Sequence, residues 1–322
     1  MVKLNIVESI NLALNQEMAK DKDVVILGED VGVDGGVFRV TDGLFKKFPN
    51  RVFDTPLAES GIIGAAIGMA VYGLKPVAEV QFSGFMYPGF DQLISHASRI
   101  RTRSRGRYSC PIVVRTPCGG GIRALEHHSE STEAIFIHTP GLKVVEPSNP
   151  YDAKGLLISS IRDPDPVIFF EPMRVYRAIK QEVPEEEYNI ELGKANVVKE
   201  GNDLTIITWG AMVRDVLKIN EEIKNKYDLE IIDLRTLSPF DIDAIITSVK
   251  KTGRALVVHE APKTLGLGAE IVAQINEKAL LSLEAPVLRV TGFDTIFPLA
   301  KLENYYLPTN RIKKGIEKVM NF

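Results

Sequence analysis

One carboxylic acid, Glu59, stands in front of a long run of small and apolar residues: Asp54-Thr-Pro-Leu-Ala-Glu59-Ser-Gly61-Ile-Ile-Gly64-Ala-Ala-Ile-Gly68-Met-Ala70. Thr55 is expected to cap a helix here, with Pro56 at its first position. An acid in a first turn can simply complement the helix dipole. The run after Glu59, however, is apolar all round, and Gly64-x-x-x-Gly68 admits a close backbone neighbour, which places the helix in a core or a tight interface. A carboxyl at the mouth of such a helix is partly desolvated, and desolvation favours its neutral form. A neutral carboxyl can donate a hydrogen bond to a ring nitrogen. The second chemical group is His127-His128-Ser129. Adjacent histidines could suggest a metal, but no third ligand follows at a recognisable spacing. An imidazole serves equally as proton donor or charge stabiliser. Gly119-Gly-Gly121 ahead of the pair reads as a mobile loop with unusual backbone angles. Phe85, at the end of Glu79-Val-Gln81-Phe82-Ser-Gly-Phe85, is either a core aromatic or a platform for a ring.

These groups need a scaffold, and the chain supplies one. Short apolar, β-branched runs predict strands at Val24–Leu27, Pro76–Phe82, Ile112–Arg115, Leu142–Val145 and Val167–Phe170. Helical stretches lie between them at Ala58–Tyr72, Phe90–Arg105 and Tyr151–Ile161, and Asn5 with Glu8 forms a capping pair for an earlier helix. Continuous apolar strands separated by helices predict a parallel sheet covered on both faces, with ligands at the strands' carboxyl ends. The charged, proline-bearing stretch Glu182-Val-Pro-Glu-Glu-Glu-Tyr reads as a linker. A second alternation follows, with strands at Leu204–Thr208, Glu230–Leu234, Ala255–His259 and Val287–Val290. Its helices are expected at Val213–Lys226, Asp241–Lys250 and Ala269–Leu280. The boundary falls near residue 185, and 322 residues suffice for two α/β domains, each with its own core.

Composition narrows the function. The chain is 45% hydrophobic and 25% charged with a net charge of −3, so no global charge points to nucleic acid or an anionic membrane. The arginine run Arg99, Arg101, Arg103, Arg105, Arg107 alternates around a helix rather than sharing a face, which suits subunit or carboxylate contacts or a solvated helix end. No apolar run reaches membrane-spanning length, and neither a secretory nor a transit signal is legible at the N-terminus. Cys110 and Cys118 are the only cysteines and fit a reducing compartment, so the expected address is cytoplasmic. There is no phosphate loop, no nucleophile elbow and no complete dinucleotide fingerprint.

Six segments of the first half carry a family resemblance: Gly28-Glu29-Asp30-Val31, Gly35-Gly36-Val37-Phe38, Asp54-Thr-Pro-Leu-Ala-Glu59, Phe90-Asp91-Gln92, His138-Thr-Pro-Gly-Leu-Lys-Val-Val145 and Asp152-Ala-Lys-Gly-Leu156. With Thr205-Ile-Ile-Thr-Trp-Gly-Ala-Met212 and Asp233-Leu-Arg-Thr-Leu-Ser-Pro239, they resemble beta subunits of pyruvate and branched-chain 2-oxo acid dehydrogenases, in order and over essentially the whole chain. The resemblance implies a doubly wound, pyrimidine-type thiamine-diphosphate-binding domain over 1–185 and a transketolase C-terminal-like α/β domain over 186–322. It implies that Glu59 bonds N1′ of the cofactor's aminopyrimidine and favours the tautomer that activates the thiazolium. Phe85 would stack on the pyrimidine, with Gln81 and the Leu57 backbone completing the pocket. His128 would meet the reacting centre or the incoming lipoyl group, and His127 would not. Glu29 would belong to an acidic channel between paired sites, or cap a turn. Ile112, Ser160, Ile161, Asp163 and Asp165 match a stretch that holds potassium in relatives, mainly through carbonyls.

The resemblance also implies half an enzyme. Thiamine enzymes anchor the diphosphate through Mg²⁺ and a Gly-Asp-Gly motif, and this chain has none. An alpha subunit would supply Mg²⁺ and the diphosphate half in an alpha2beta2 assembly, and a lipoyl-bearing dihydrolipoyl acyltransferase core would dock on the second domain. Ile168-Phe-Phe-Glu171-Pro172 and Tyr176-Arg177 are closer to branched-chain enzymes, while Lys180-Gln-Glu-Val-Pro184 is closer to bacterial pyruvate enzymes, so both 2-oxo acid classes stay open. The competing readings are a stand-alone transketolase-type enzyme and a non-catalytic assembly subunit.

Overall fold

The computed structural model describes residues 1–322. A short strand, β1 (Val2–Leu4), leads into the helix Ile6–Lys20, where Asn5 and Glu8 form the expected reciprocal capping box. Then come β2 (Val24–Gly28), β3 (Val52–Asp54), β4 (Lys75–Glu79), β5 (Val113–Cys118), β6 (Lys143–Val145) and β7 (Val167–Pro172). β8 (Gln181–Val183) turns back to pair antiparallel with β1. Residues 184–195 contain no helix or strand. The second half holds β9 (Asn196–Lys199), β10 (Leu204–Thr208), β11 (Leu229–Asp233), β12 (Thr236–Ser238), β13 (Ala255–Val258) and β14 (Leu288–Val290).

Two sheets result. One has the order β12-β6-β7-β5-β4-β2-β3 and the other β14-β13-β10-β11-β9. All internal pairings are parallel, and only the edge strands β12 and β9 run antiparallel. The fold is the expected α/β pair of wound sheets. In β2, Val24 and Ile26 pack towards the Ile6–Lys20 and Pro150–Arg162 helices, while Leu27 packs towards the Glu59–Tyr72 helix. Covering both faces in this way is what keeps all five β2 residues buried. No helix is long and apolar enough to cross a membrane.

Two expectations need correction, the Phe90–Arg105 helix and the Thr55 cap. Each half has an apolar cluster of its own, and a further one runs from Ile63 and Phe136 in the first half to Trp209, Ile232 and Ile271 in the second. β12 strengthens that union, because a strand from the second half extends the first sheet beside Val145. The helix expected over Phe90–Arg105 is broken into a π turn at Gln92–His96, a 3₁₀ turn at Ala97–Arg99 and a short α segment at Ile100–Arg103. Thr55 caps nothing. The helix begins at Glu59 with Ala58 as its N-cap, and the Thr55 N–H instead donates to the Gly28 carbonyl. The Glu59–Tyr72 helix is covered on one side only within this chain: Gly61, Ala65, Gly68, Val71 and Tyr72 face outward.

Candidate active site

β2 and β4 are parallel neighbours with Gly28 level with Glu79, so the residues after both strands emerge at one edge of the sheet. Glu29 follows β2. Gln81 follows β4, and the chain then coils into a 3₁₀ turn, Ser83–Gly89, that carries Phe85. The Glu59–Tyr72 helix starts against this turn: a Cβ placed on Gly89 would lie 3.2 Å from the Glu59 carbonyl oxygen. From β5 a loop returns to the same edge and brings His128 over the aromatic pair. Its ring meets Phe85 edge-on at 5.0 Å and Phe82 at 4.4 Å between centroids. Glu29, Glu59, Gln81, Phe85 and His128 thus come from four separate segments to the carboxyl ends of β2, β4 and β5. Leu57 stands at the rim with its side chain 64% exposed. His127 is exposed, with its ring 6.1 Å from that of Tyr87 and 6.3 Å from that of Phe85.

Electrostatics mark this edge. Burial pushes the Glu29 carboxyl above its usual range, and the negative charges of Asp30 and Glu59 push it further. Its Oε2 is shielded from solvent and lacks a partner within the protein, as are His128 Nδ1 and Thr55 Oγ1. Unpaired polar atoms in a shielded place are costly, and their natural complement is a polar ligand. An acid, an imidazole and an amide around an aromatic face are the groups that a planar, nitrogen-bearing ring requires. The residues present therefore fit the aminopyrimidine that the sequence resemblance implies.

Other residues hold the edge in shape. The Asp54 carboxylate accepts the N–H groups of Gly32, at 2.6 Å, and Val33, at 3.2 Å, and so ties the turn after Glu29 to the strand before Glu59. Glu130 fixes the histidine loop: its carbonyl accepts Ser83 Oγ at 2.6 Å and its carboxylate accepts the Tyr87 hydroxyl at 2.5 Å. Gly84 lies directly beneath the His127 backbone, where a Cβ would sit 2.9 Å from His127 Cα. Below the sheet edge Arg115 bridges Glu79 at 2.7 Å and Glu171 at 2.7 Å, all three fully buried, and Tyr176 donates to Glu171. Asp54 lay in the motif read from the sequence but had no visible role there. Glu130 gave no signal, because its partners are 43 and 47 residues away.

The expected potassium residues do gather at the turn between the Pro150–Arg162 helix and β7. Their side chains are already engaged: Asp163 pairs with Lys143 and Asp165 with Arg101, at 2.5 and 2.6 Å. The Ile112 carbonyl accepts the Val167 N–H, and that of Ser160 accepts the Asp163 N–H. Arg101 is the one member of the arginine run that pairs with a carboxylate, and Arg99 and Arg103 donate to backbone carbonyls.

Residues 2–178 match the family model of the transketolase pyrimidine binding domain, and residues 193–311 that of the transketolase C-terminal domain. The pyruvate dehydrogenase E1 component subunit beta of Acholeplasma laidlawii is 56% identical over 96% of this chain and 95% of that protein. The protein of the same name from Staphylococcus aureus is 54% identical over the full length of both chains. Among solved structures, a split gene transketolase described as an inactive beta4 tetramer superposes with a TM-score of 0.81 over 99% of each chain, at 22% identity, a likeness of fold.

Proposed function

This chain belongs to the family of 2-oxo acid dehydrogenase beta subunits that includes the pyruvate dehydrogenase E1 beta chains, and from that premise we propose that it decarboxylates pyruvate as half of an active site shared with an alpha subunit. The observation that carries this reading is the meeting of Glu59, Gln81, Phe85, Glu29 and His128 at one sheet edge, in a chain that has no Gly-Asp-Gly motif of its own. Thiamine diphosphate would supply the electron sink that a 2-oxo acid needs to lose CO₂. Glu59 would bond the pyrimidine N1′, Phe85 would lie against the ring face, and Gln81 with the Leu57 backbone would close the edge. Glu29 stands beside Glu59, its own carboxyl pushed up by burial and then by the charges of Asp30 and Glu59. His128 stabilises charge or delivers a proton at the reacting carbon and faces the incoming lipoyl group. On this reading residues 1–185 form the pyrimidine-binding domain and 186–322 the C-terminal domain, which docks the lipoyl-bearing acyltransferase core. The alpha partner completes an alpha2beta2 assembly and holds Mg²⁺ with the diphosphate. Any K⁺ at Ile112, Ser160, Ile161, Asp163 and Asp165 would rest on carbonyl lone pairs alone.

Pyruvate is the substrate of choice on this reading, and the names of the relatives are what support it. Ile168, Phe169, Phe170 and Tyr176 are buried core, and Glu171 pairs with Arg115. Their branched-chain character reflects packing and leaves the acyl pocket unaddressed, whereas the relatives that match the whole length are pyruvate enzymes by name. The test is Glu59→Gln in the assembled complex. Decarboxylation should fall by about 10²–10⁴-fold, the range for a lost proton-transfer group, with assembly intact. A pure scaffold would keep full activity.

A further inference from the structure

The second half of the molecule grips the histidine loop. This loop leaves β5 through Gly119, Gly120 and Gly121, with φ of +76° at the first and +112° at the third. Three side chains from beyond residue 250 close on it. Glu260, two residues past β13, accepts the Gly120 N–H at 2.5 Å. The Phe297 ring lies so near that a Cβ on Gly120 would stand 2.6 Å from its Cζ. The Glu303 carboxylate accepts the Arg123 N–H at 3.2 Å. Glu260 is itself only 8% exposed and is steadied by Arg174 at 3.3 Å, which pairs in turn with Asp215 at 2.8 Å. The loop then closes on itself, because the Gly119 N–H donates to the Glu130 carbonyl, just past His128.

We propose that Glu260 is a positioning residue for the reaction: from the second domain it fixes the Gly120 backbone and thereby sets where His128 stands over Phe85. This rests on the reading that His128 serves the reacting centre. Three consecutive glycines carry more backbone freedom than any other tripeptide, so a loop built on them needs an external hold to keep one geometry. A buried carboxylate accepting a backbone N–H is among the stronger holds available. Charge around it comes from both halves. Glu133, at the far end of the loop, is pushed up to about 7 by burial first and by the Glu260 charge second. The loop is therefore seated against an acidic cluster drawn from both halves, with the unusual backbone angles expected of its glycines.

The test uses the chain assembled with its alpha partner. Glu260→Gln keeps an acceptor oxygen for Gly120, and Glu260→Ala removes it. In the alanine variant, amide exchange across 119–132 should accelerate and kcat with pyruvate and a lipoylated acceptor should fall by about 10- to 100-fold, the usual consequence of misplacing a reacting group. KM for pyruvate and thiamine diphosphate affinity should hold, and the glutamine variant should recover most of the loss. Should the alanine variant fail to fold beside an unpaired Arg174, Glu303→Ala asks the same question through Arg123, with faster exchange and a lower kcat expected. Unchanged loop exchange in a folded variant overturns the proposal. Faster exchange with unchanged kcat also overturns it if His128→Ala inactivates the complex. If His128→Ala is itself fully active, the assignment of His128 has failed instead.

Discussion

At the scale of single residues, the molecule withholds carboxyl oxygens from water. One oxygen of Glu29 is shielded, and Asp233 is wholly buried at the seam, where Ser148 donates to it at 2.5 Å. Burial, and then the negative charge of Asp152, pushes Asp233 up to about 7 from an ordinary 3.8. The folded chain therefore binds a proton more tightly here than the unfolded chain does. Stability from this group is full below pH 3.8, falls as pH rises towards 7 and levels off above it. Thermal melts of the wild type and Asp233→Asn between pH 5 and pH 8 read this directly. The wild type should lose stability relative to the variant as pH rises, and a constant difference across the range would refute the assignment. None of this was legible in the sequence, where Asp233 was only part of a motif. Glu59 was singled out by the apolar run behind it and His128 by the family resemblance, and both lie at the same sheet edge as Phe85.

At the scale of elements, the site is an assembly of strand ends and turns, and the turns carry the precision. Gly84 shows how little room there is: a methyl there would also meet Glu130 Oε2 at 2.9 Å. Gly84→Ala should push the His127–His128 backbone off the Phe85 ring and lower activity by about 100-fold, measured as kcat of the assembled complex with unchanged alpha-subunit binding. Activity within a factor of two of wild type would mean that the loop seat is not required. Long internal elements were readable because buried parallel strands are continuously apolar. Val24–Gly28 and Leu204–Thr208 fell within a residue of expectation for that reason. The short edges β1, β3, β8, β9 and β12 were missed, as was the Thr309–Met320 helix. Three- and four-residue edge strands are specified by what they pair with, which composition does not reveal. The break in the Phe90–Arg105 helix was hidden likewise: the stretch packs against Gly64 and Gly141, and those tertiary contacts override its helical pattern.

At the scale of the whole molecule, an apolar face is left uncovered. Gly61, Ala65, Gly68 and Tyr72 line the outer side of the Glu59–Tyr72 helix, with Tyr72 89% exposed, and Val33, Val37, Phe53 and Leu57 continue it around the rim of the site. A Cβ on Gly68 meets nothing within 4 Å inside this chain. Gly68→Leu should therefore leave the isolated chain as stable as before, or more stable by up to about 1 kcal/mol from helix propensity. The same change should block assembly with the alpha partner, seen by sedimentation. Normal assembly would remove this face from the shared interface.

The most direct test of a site divided between two polypeptides is calorimetric titration of thiamine diphosphate with Mg²⁺ into this chain, into its alpha partner and into their mixture. Tight, saturable binding should appear in the mixture and be absent from this chain alone. If this chain by itself binds the cofactor as tightly as the mixture does, the division is wrong.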